Sequence, residues 1–484
     1  MISFVISLFL LVAGYVVYGR IVERVFGPDD RKTPAVSKAD GVDYIVLPGW
    51  KVFMIQFLNI AGTGPIFGAI MGAKFGPSAY LWIVFGCIFA GAVHDYFSGM
   101  LSMRHEGASM PELVGVYLGK NAKTLLLVFS ILVLLMVGSV FVFSPALILG
   151  KMMGGEKVTI MLCAAVIFIY YGLATMLPVD KIIGKIYPLF AFALLFMAVA
   201  LMAVLLVKWP SLPEVWDMGE VENLTGQALF PCLFITIACG AVSGFHATQS
   251  PLMARCLNSE RKGRPVFYGA MITEGIVALI WATISSWFFY DGGAAEVGSS
   301  AAAQAPEVVM VVSKSWLGIA GGILALLGVV AAPITSGDTA FRSARLIVAD
   351  FLRINQRSIH NRLLVSVPLF CIAGLLLWFN VADEQGFNTI WNYFGWSNQT
   401  LSCFMLWTAT VYLSHRKGLY FLMTLVPALF MTMICTTFIC ISAVGFGLSM
   451  PVGCGIGLAT TVLLASLFFG GWIRRVKGGS RVAE

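Results

Sequence analysis

Stretches of about twenty predominantly apolar residues recur along almost the whole of this 484-residue chain, and that recurrence restricts its fold more than any single motif. A helix needs about 20 such residues to cross the hydrocarbon core of a bilayer. Thirteen runs meet that length: 1–19, 52–73, 77–102, 124–149, 158–177, 186–207, 226–250, 266–290, 308–333, 363–381, 388–413, 419–445 and 452–473. Only 11% of the residues are charged, against about 25% in soluble domains. The sequence therefore predicts an all-α polytopic membrane protein with no soluble domain. The first run, MISFVISLFLLVAGYVVYG, lacks the basic start and small-residue cleavage site of a signal peptide, so it is expected to stay as a membrane helix.

Basic residues test this segmentation independently. Twenty-six of the 31 Lys and Arg fall after runs 1, 3, 5, 7, 9 and 11 or at the C-terminus. The other side holds Lys74, Lys151, Lys157, Lys208 and Lys314. The positive-inside rule then places the N-terminus outside and the C-terminus in the cytoplasm. The net charge of +7 has its explanation in this topology rather than in nucleic-acid binding.

Two of the runs are poor helices. Asn59 to Gly68 reads NIAGTGPIFG, and Ala238 to Pro251 reads ACGAVSGFHATQSP; Gly and Pro are the residues least suited to a helix interior. These runs lie five spans apart, so they cross in opposite directions, and each begins a block of five. That is the layout of an inverted-repeat transporter, in which paired discontinuous helices meet at the midplane. The expected organisation is 1–50 (first helix and cytoplasmic loop), 51–208 and 226–413 (two five-helix repeats), and 414–484 (two further helices and a basic tail). Close helix packing through small residues such as Gly64 and Gly68 is the competing explanation for either break alone.

The candidate substrate site is Asn59, Gly62, Thr63 and Gly64 facing Ser243, Gly244, His246 and Gln249. Ionisable groups inside a membrane are costly and usually functional or paired. Glu274 lies about nine residues into its span, near the midplane, where it is able to carry a proton or to bond a neighbouring helix. His94 and Asp95 form either an inner gate or a packed polar pair. Thr335, Ser336, Asp338 and Thr339 offer clustered oxygens for a hard cation beside a chain break at Pro333 and Gly337. Alternatively, Ser336 or Asp338 caps an interfacial helix whose Arg342 and Arg345 face the headgroups. Asn398 and Gln399 either contact a polar substrate or knit helices together. The ten cysteines form no CxxC pair, so no zinc site or disulfide framework is suggested, and they read as small core residues. No HExxH or GxSxG points to an enzyme.

Six motifs occur together and in order between about residues 50 and 415: IAGTGPIFG, GAVHDYFSG, SGFHATQSP, the MITEG run with Glu274, GDTAFRSAR and FGWSNQTL. Together they resemble the carbon starvation protein A family. The resemblance implies a bacterial inner-membrane transporter of the amino acid–polyamine–organocation superfamily, with a five-plus-five inverted-repeat core of the leucine-transporter type. It also implies uptake of peptides during carbon starvation or, for some members, proton-coupled uptake of pyruvate. On that reading the partners are a small-molecule substrate and membrane lipid, with H⁺ or Na⁺ as coupling ion and no cofactor or nucleic acid. Two departures stand out: Ile55 and Gln56 occupy the place of a histidine pair common in the family, and His94 stands where Gln is usual. A passive channel is the expectation from a different class, and a starvation sensor lacks the soluble output domain it would need.

Overall fold

A chain in lipid must satisfy its backbone internally, and the helix does so within a single segment. The structure, a computed structural model, describes residues 1–177, 183–356, 358–382, 386–416 and 418–478. Lys181, Arg357, Lys417 and Arg481 of the charge pattern lie outside these residues. The described residues contain helices and one isolated bridge between Leu47 and Leu257, with no strand. Among them, nine helical stretches are long and apolar enough to span a membrane, or ten with the bent pair Gly49–Ile60 and Gly64–Ala73. The runs 226–250, 308–333 and 388–413 fall in the helical segments Leu229–Ala254, Ala305–Leu352 and Gly386–Ser414, the first of them interrupted at residues 237–243 and the second at Gly318.

Both glycine-rich runs are broken, as their composition requires. The first broken helix runs Gly49–Ile60, stops at Ala61, and resumes through a π-helical turn, Gly64–Gly68, into Ala69–Ala73, bent by 54°. The second runs Leu229–Thr236, is non-helical through residues 237–243, and resumes as Gly244–Ala254.

The end of the ninth run corrects the sequence reading. No break occurs at Pro333 or Gly337; the helical segment Ala305–Leu352 is broken instead at Gly318, whose φ of 65° suits glycine, and the long helix that follows runs unbroken through both positions. Neighbouring hydroxyls serve the carbonyls around Pro333. Tyr171 donates to Pro333 O at 3.1 Å, and Thr335 donates to Ala331 O and Ala332 O at 3.0 and 2.8 Å. Ser336 and Asp338 therefore cap nothing. Arg342 and Arg345 face inward, 1% and 0% exposed, rather than towards headgroups. Their counter-charge is Asp43, in the loop after the first helix, at 3.4 and 3.2 Å. Arg342 also donates to Ala174 O and Leu177 O, both at 2.9 Å.

Burial alone would push the Asp43 carboxyl up, but Arg345, Arg342 and Arg255 outweigh it and hold the group below the usual carboxylate range. A depressed value means that the stabilisation is complete above the unfolded value of about 3.9 and is lost as pH falls through the folded one. Asp43→Asn should cost about 3–5 kcal/mol at pH 7, because it strands buried arginines. Thermal unfolding in detergent would show that gap, and it should narrow on acidification; a gap of equal size at acid pH would exclude the ion-pair origin.

Candidate functional site

The two breaks meet. A side chain added at Gly64 would strike Cys239 Sγ at 2.3 Å, one at Gly68 would strike Thr236 O at 2.8 Å, and one at Gly72 would strike Ile237 Cγ1 at 2.2 Å. A stripe of glycines at every fourth residue of the first broken helix thus lies directly on the unwound part of the second. The packing reading of Gly64 and Gly68 is correct at this level, and the partner is the other break. Phe141 bridges from the side: it lies against Gly62 and packs edge-on against Phe245 and Phe394.

Unwinding frees backbone groups, and other helices take them up. Ser336 donates to Leu58 O at 3.0 Å, beside the end of the first half-helix. Gln399 donates to Phe234 O and Trp82 to Ile237 O, at 3.0 and 2.9 Å, at the end of the second one's first half. Where that helix resumes, the Asn398 side-chain oxygen accepts from Phe245 N at 2.6 Å and from Ser243 Oγ at 3.0 Å, an N-cap supplied from another helix. Gly244 lets this happen, since a Cβ there would sit 2.3 Å from Asn398 O and Ser402 N. Asn398 and Gln399 therefore knit helices together.

Some polar groups at the breaks stay unpartnered. Asn59 is fully buried and neither its side-chain oxygen nor its nitrogen has a partner; Thr63 Oγ1 and Gln249 Oε1 are likewise without one. Buried polar groups are rarely left so, and ligand or water is the usual reason. Gln56 Nε2 donates to Ser250 Oγ at 3.3 Å, joining the two broken helices.

A fully buried polar chain runs beside the second break. Asp95 Oδ1 meets His94 Nδ1, and Asp95 Oδ2 meets His246 Nδ1, both at 2.8 Å. His246 Nε2 then lies 3.4 Å from Glu274 Oε2, near enough for an ion pair but not aligned as a hydrogen bond. His94 and Asp95 are thus neither an isolated pair nor separate from the break; they continue into His246 and Glu274. An ionised Asp95 can only accept, so each imidazole carries a proton on Nδ1, and in a neutral ring Nε2 is then bare. A bare nitrogen facing a carboxylate oxygen is unfavourable unless a cation, proton or metal, lies between them.

The oxygen cage expected around Asp338 is not assembled. The Thr335 and Thr339 hydroxyls bond carbonyls of their own helix, and Ser336 serves the first break. Asp338 Oδ2 accepts from Tyr187 at 2.6 Å, leaving Oδ1 without a partner. Sequence reasoning also missed Cys239. Its Sγ and donor atoms of His246 and Glu274 all lie within 4.8 Å of one another, a grouping that no CxxC spacing announces. The two best-defined clefts lie elsewhere. The larger, of about 580 Å³, is lined by residues such as Glu112, Lys123, Asp350 and Arg353, whereas the side chains at the breaks are buried.

This arrangement has relatives. The family profile described as carbon starvation protein CstA matches residues 1–146, 143–320 and 316–438. The chain belongs to the CstA family. Among CstA relatives, an uncharacterised membrane protein of Haemophilus influenzae is 44% identical over 362 residues, 64% of this chain and 98% of its own. The peptide transporter CstA of Campylobacter jejuni is 28% identical over 541 residues, 86% of this chain and 76% of its own. The pyruvate/proton symporter BtsT of Escherichia coli is 30% identical over 324 residues, 54% of this chain and 45% of its own. In fold, the chain resembles a manganese transporter of Eremococcus coleocola, with a TM-score of 0.55 and 12% identity over 90% of this chain and 99% of that one. This CstA-family chain is a multi-pass protein of the bacterial inner membrane, and the relatives with a named role and the fold neighbours are transporters rather than enzymes.

Asn398→Ala would leave Phe245 N–H and the Ser243 hydroxyl buried and unpaired, at about 1–3 kcal/mol for each group so stranded. The variant should unfold several degrees below the wild type in a thermal-shift assay in detergent. An unchanged midpoint would mean that this side chain does not hold the break.

Proposed function

We propose that this CstA-family protein is a secondary active importer of peptides, driven by an H⁺ or Na⁺ gradient, whose site alternates in access between the paired breaks. The observation that carries this reading is the meeting of two unwound segments at which Asn59, Thr63 and Gln249 keep unpartnered polar atoms in a fully buried setting. Freed N–H groups there suit a substrate carboxylate, and polar side chains suit the rest of a peptide. Gly62, Gly64, Ser243 and Gly244 flank that place, the glycines letting the neighbouring helices close around it.

The accompanying architecture is thirteen spans with a five-plus-five inverted repeat, N-terminus outside and C-terminus cytoplasmic. The odd separation of the breaks and the one-sided Lys and Arg distribution support it. Glu274, joined through His246 to Asp95, is the first place for the coupling ion. Asp338, with one free oxygen, is the second, its neighbours Thr335, Ser336 and Thr339 being bonded already. Proton-coupled uptake of pyruvate is the second reading, favoured by the likeness to BtsT; a carboxylate is common to both substrates.

Uptake into proteoliposomes tests the proposal. An imposed gradient should drive concentrative uptake of di- or tripeptides, and Glu274→Gln should lower accumulation at least tenfold while leaving substrate exchange measurable. Full accumulation by that variant removes Glu274 from coupling. Uptake of pyruvate without any peptide selects the second reading, and flux that never concentrates its solute would mean a channel.

A further inference from the structure

Beside the second break, three side chains of different chemistry converge without contacting solvent. Cys239 comes from the unwound segment, His246 from the first turn after it, and Glu274 from the Gly269–Tyr290 helix; all are buried, at 2% exposure or less. Their donor atoms lie within 4.8 Å of one another. His246 Nε2 and both Glu274 oxygens have no hydrogen-bond partner, and Cys239 Sγ makes only long contacts, at 3.5 Å to Ser243 Oγ and 3.6 Å to Asn398 Nδ2.

We infer that Cys239, His246 and Glu274 form a binding site for a borderline-soft divalent transition metal of the Zn²⁺ class. The assignment goes beyond the transport reading and does not rest on it. Three observations support it. Thiolate, imidazole and carboxylate are the three donor types that such ions take, and three protein ligands leave a fourth position open. Asp95 accepts from His246 Nδ1 at 2.8 Å, which is how a carboxylate fixes the tautomer and aim of a ligating imidazole. His94 steadies that carboxylate in turn, again at 2.8 Å. Charge also balances. One thiolate, one carboxylate and a neutral imidazole around a dication make a neutral set of ligands, with the Asp95 carboxylate held one step further out behind His246. On binding, the Cys239 thiol loses its proton to solvent, as does Glu274 if it carries one. Metal–ligand lengths of about 2.0–2.3 Å set donors roughly 3.5 Å apart; the His246–Glu274 edge, at 3.4 Å, already has that length, and the edges to Cys239 close by up to about 1 Å. The likeness to a manganese transporter is one of fold alone and adds nothing to this assignment.

Co²⁺ is the probe, because a thiolate ligand gives it a charge-transfer band in the near ultraviolet and tetrahedral coordination gives it strong visible bands. Detergent-purified full-length protein, stripped with chelator and titrated anaerobically, should take up one equivalent with both signatures and release it to Zn²⁺. Cys239→Ser should lose the ultraviolet band, whereas Cys256→Ser keeps it. Glu274→Gln should weaken Co²⁺ at least tenfold, and Asp95→Asn, which touches only the histidines, by about 10–100-fold. Should Cys239→Ser fail to fold, the last two variants still read the site. No thiolate band in the wild type, a band that survives in folded Cys239→Ser, or Co²⁺ affinity unchanged in Glu274→Gln and Asp95→Asn overturns the assignment. None of these readouts depends on transport.

Discussion

Backbone that leaves the helix at membrane depth must find partners inside the protein, and much of this structure follows from where those partners come from. Leu58 O is served by Ser336, Phe234 O by Gln399, Ile237 O by Trp82, and Phe245 N by Asn398. Each bond contributes only about 1 kcal/mol net, but leaving its group unmade costs about 1–3 kcal/mol. Four such bonds from three other segments make the shape of each break a property of the bundle, not of its local sequence. A break of this kind cannot drift, which is what a binding site built from backbone requires.

Packing and binding then cease to be rival explanations of the glycines. Gly64, Gly68 and Gly72 form a stripe whose missing side chains are replaced by residues 236–239 of the other break. The stripe brings the two unwound segments to contact distance, while Asn59 and Thr63, on the turns just before it, keep polar atoms free. One face of the segment makes the approach and its neighbours keep the chemistry. The same division holds opposite, where Gly244 admits the helix carrying Asn398 and His246, two residues on, turns to Asp95 and Glu274.

The sequence exposed the breaks because Gly and Pro act locally: their cost in a helix does not depend on what surrounds it. It exposed Asn59, Thr63, His246, Asp95 and Glu274 for a similar reason, as polar residues in apolar runs. What it could not expose was pairing. Asp95 and His246 are 151 residues apart, and Asp43 and Arg345 are 302 apart. With the Asp43 counter-charge unseen, two arginines following a proline and a glycine read as an interfacial helix. Buried, they instead belong to a helix that continues through Pro333, where Tyr171 bonds Pro333 O from a neighbouring helix. Cys239 was hidden differently: its partners follow the geometry of an unwound segment, for which no spacing rule exists. Asn398 and Gln399 carried no local sign that would separate a substrate contact from a cap.

The long helix joins the site to the buried charges around Asp43. Ser336, which serves the first break, and Arg342, which pairs with Asp43, are six residues apart, about 9 Å along one rigid element. If the protein rocks about its breaks as proposed, this helix cannot move at one end alone. Stranding one partner of a buried pair costs about 3–5 kcal/mol, whereas one elementary charge crossing 100 mV supplies about 2.3 kcal/mol. One charge driven by 100 mV alone is therefore insufficient to pull Asp43 dry from its arginines. The cost falls if opening admits water, because a hydrated pair contributes only about 0–1 kcal/mol. The charges at Asp43, Arg342 and Arg345 thus hold strongly while closed and weakly once wet. The opening movement on that side must hydrate them before it separates them.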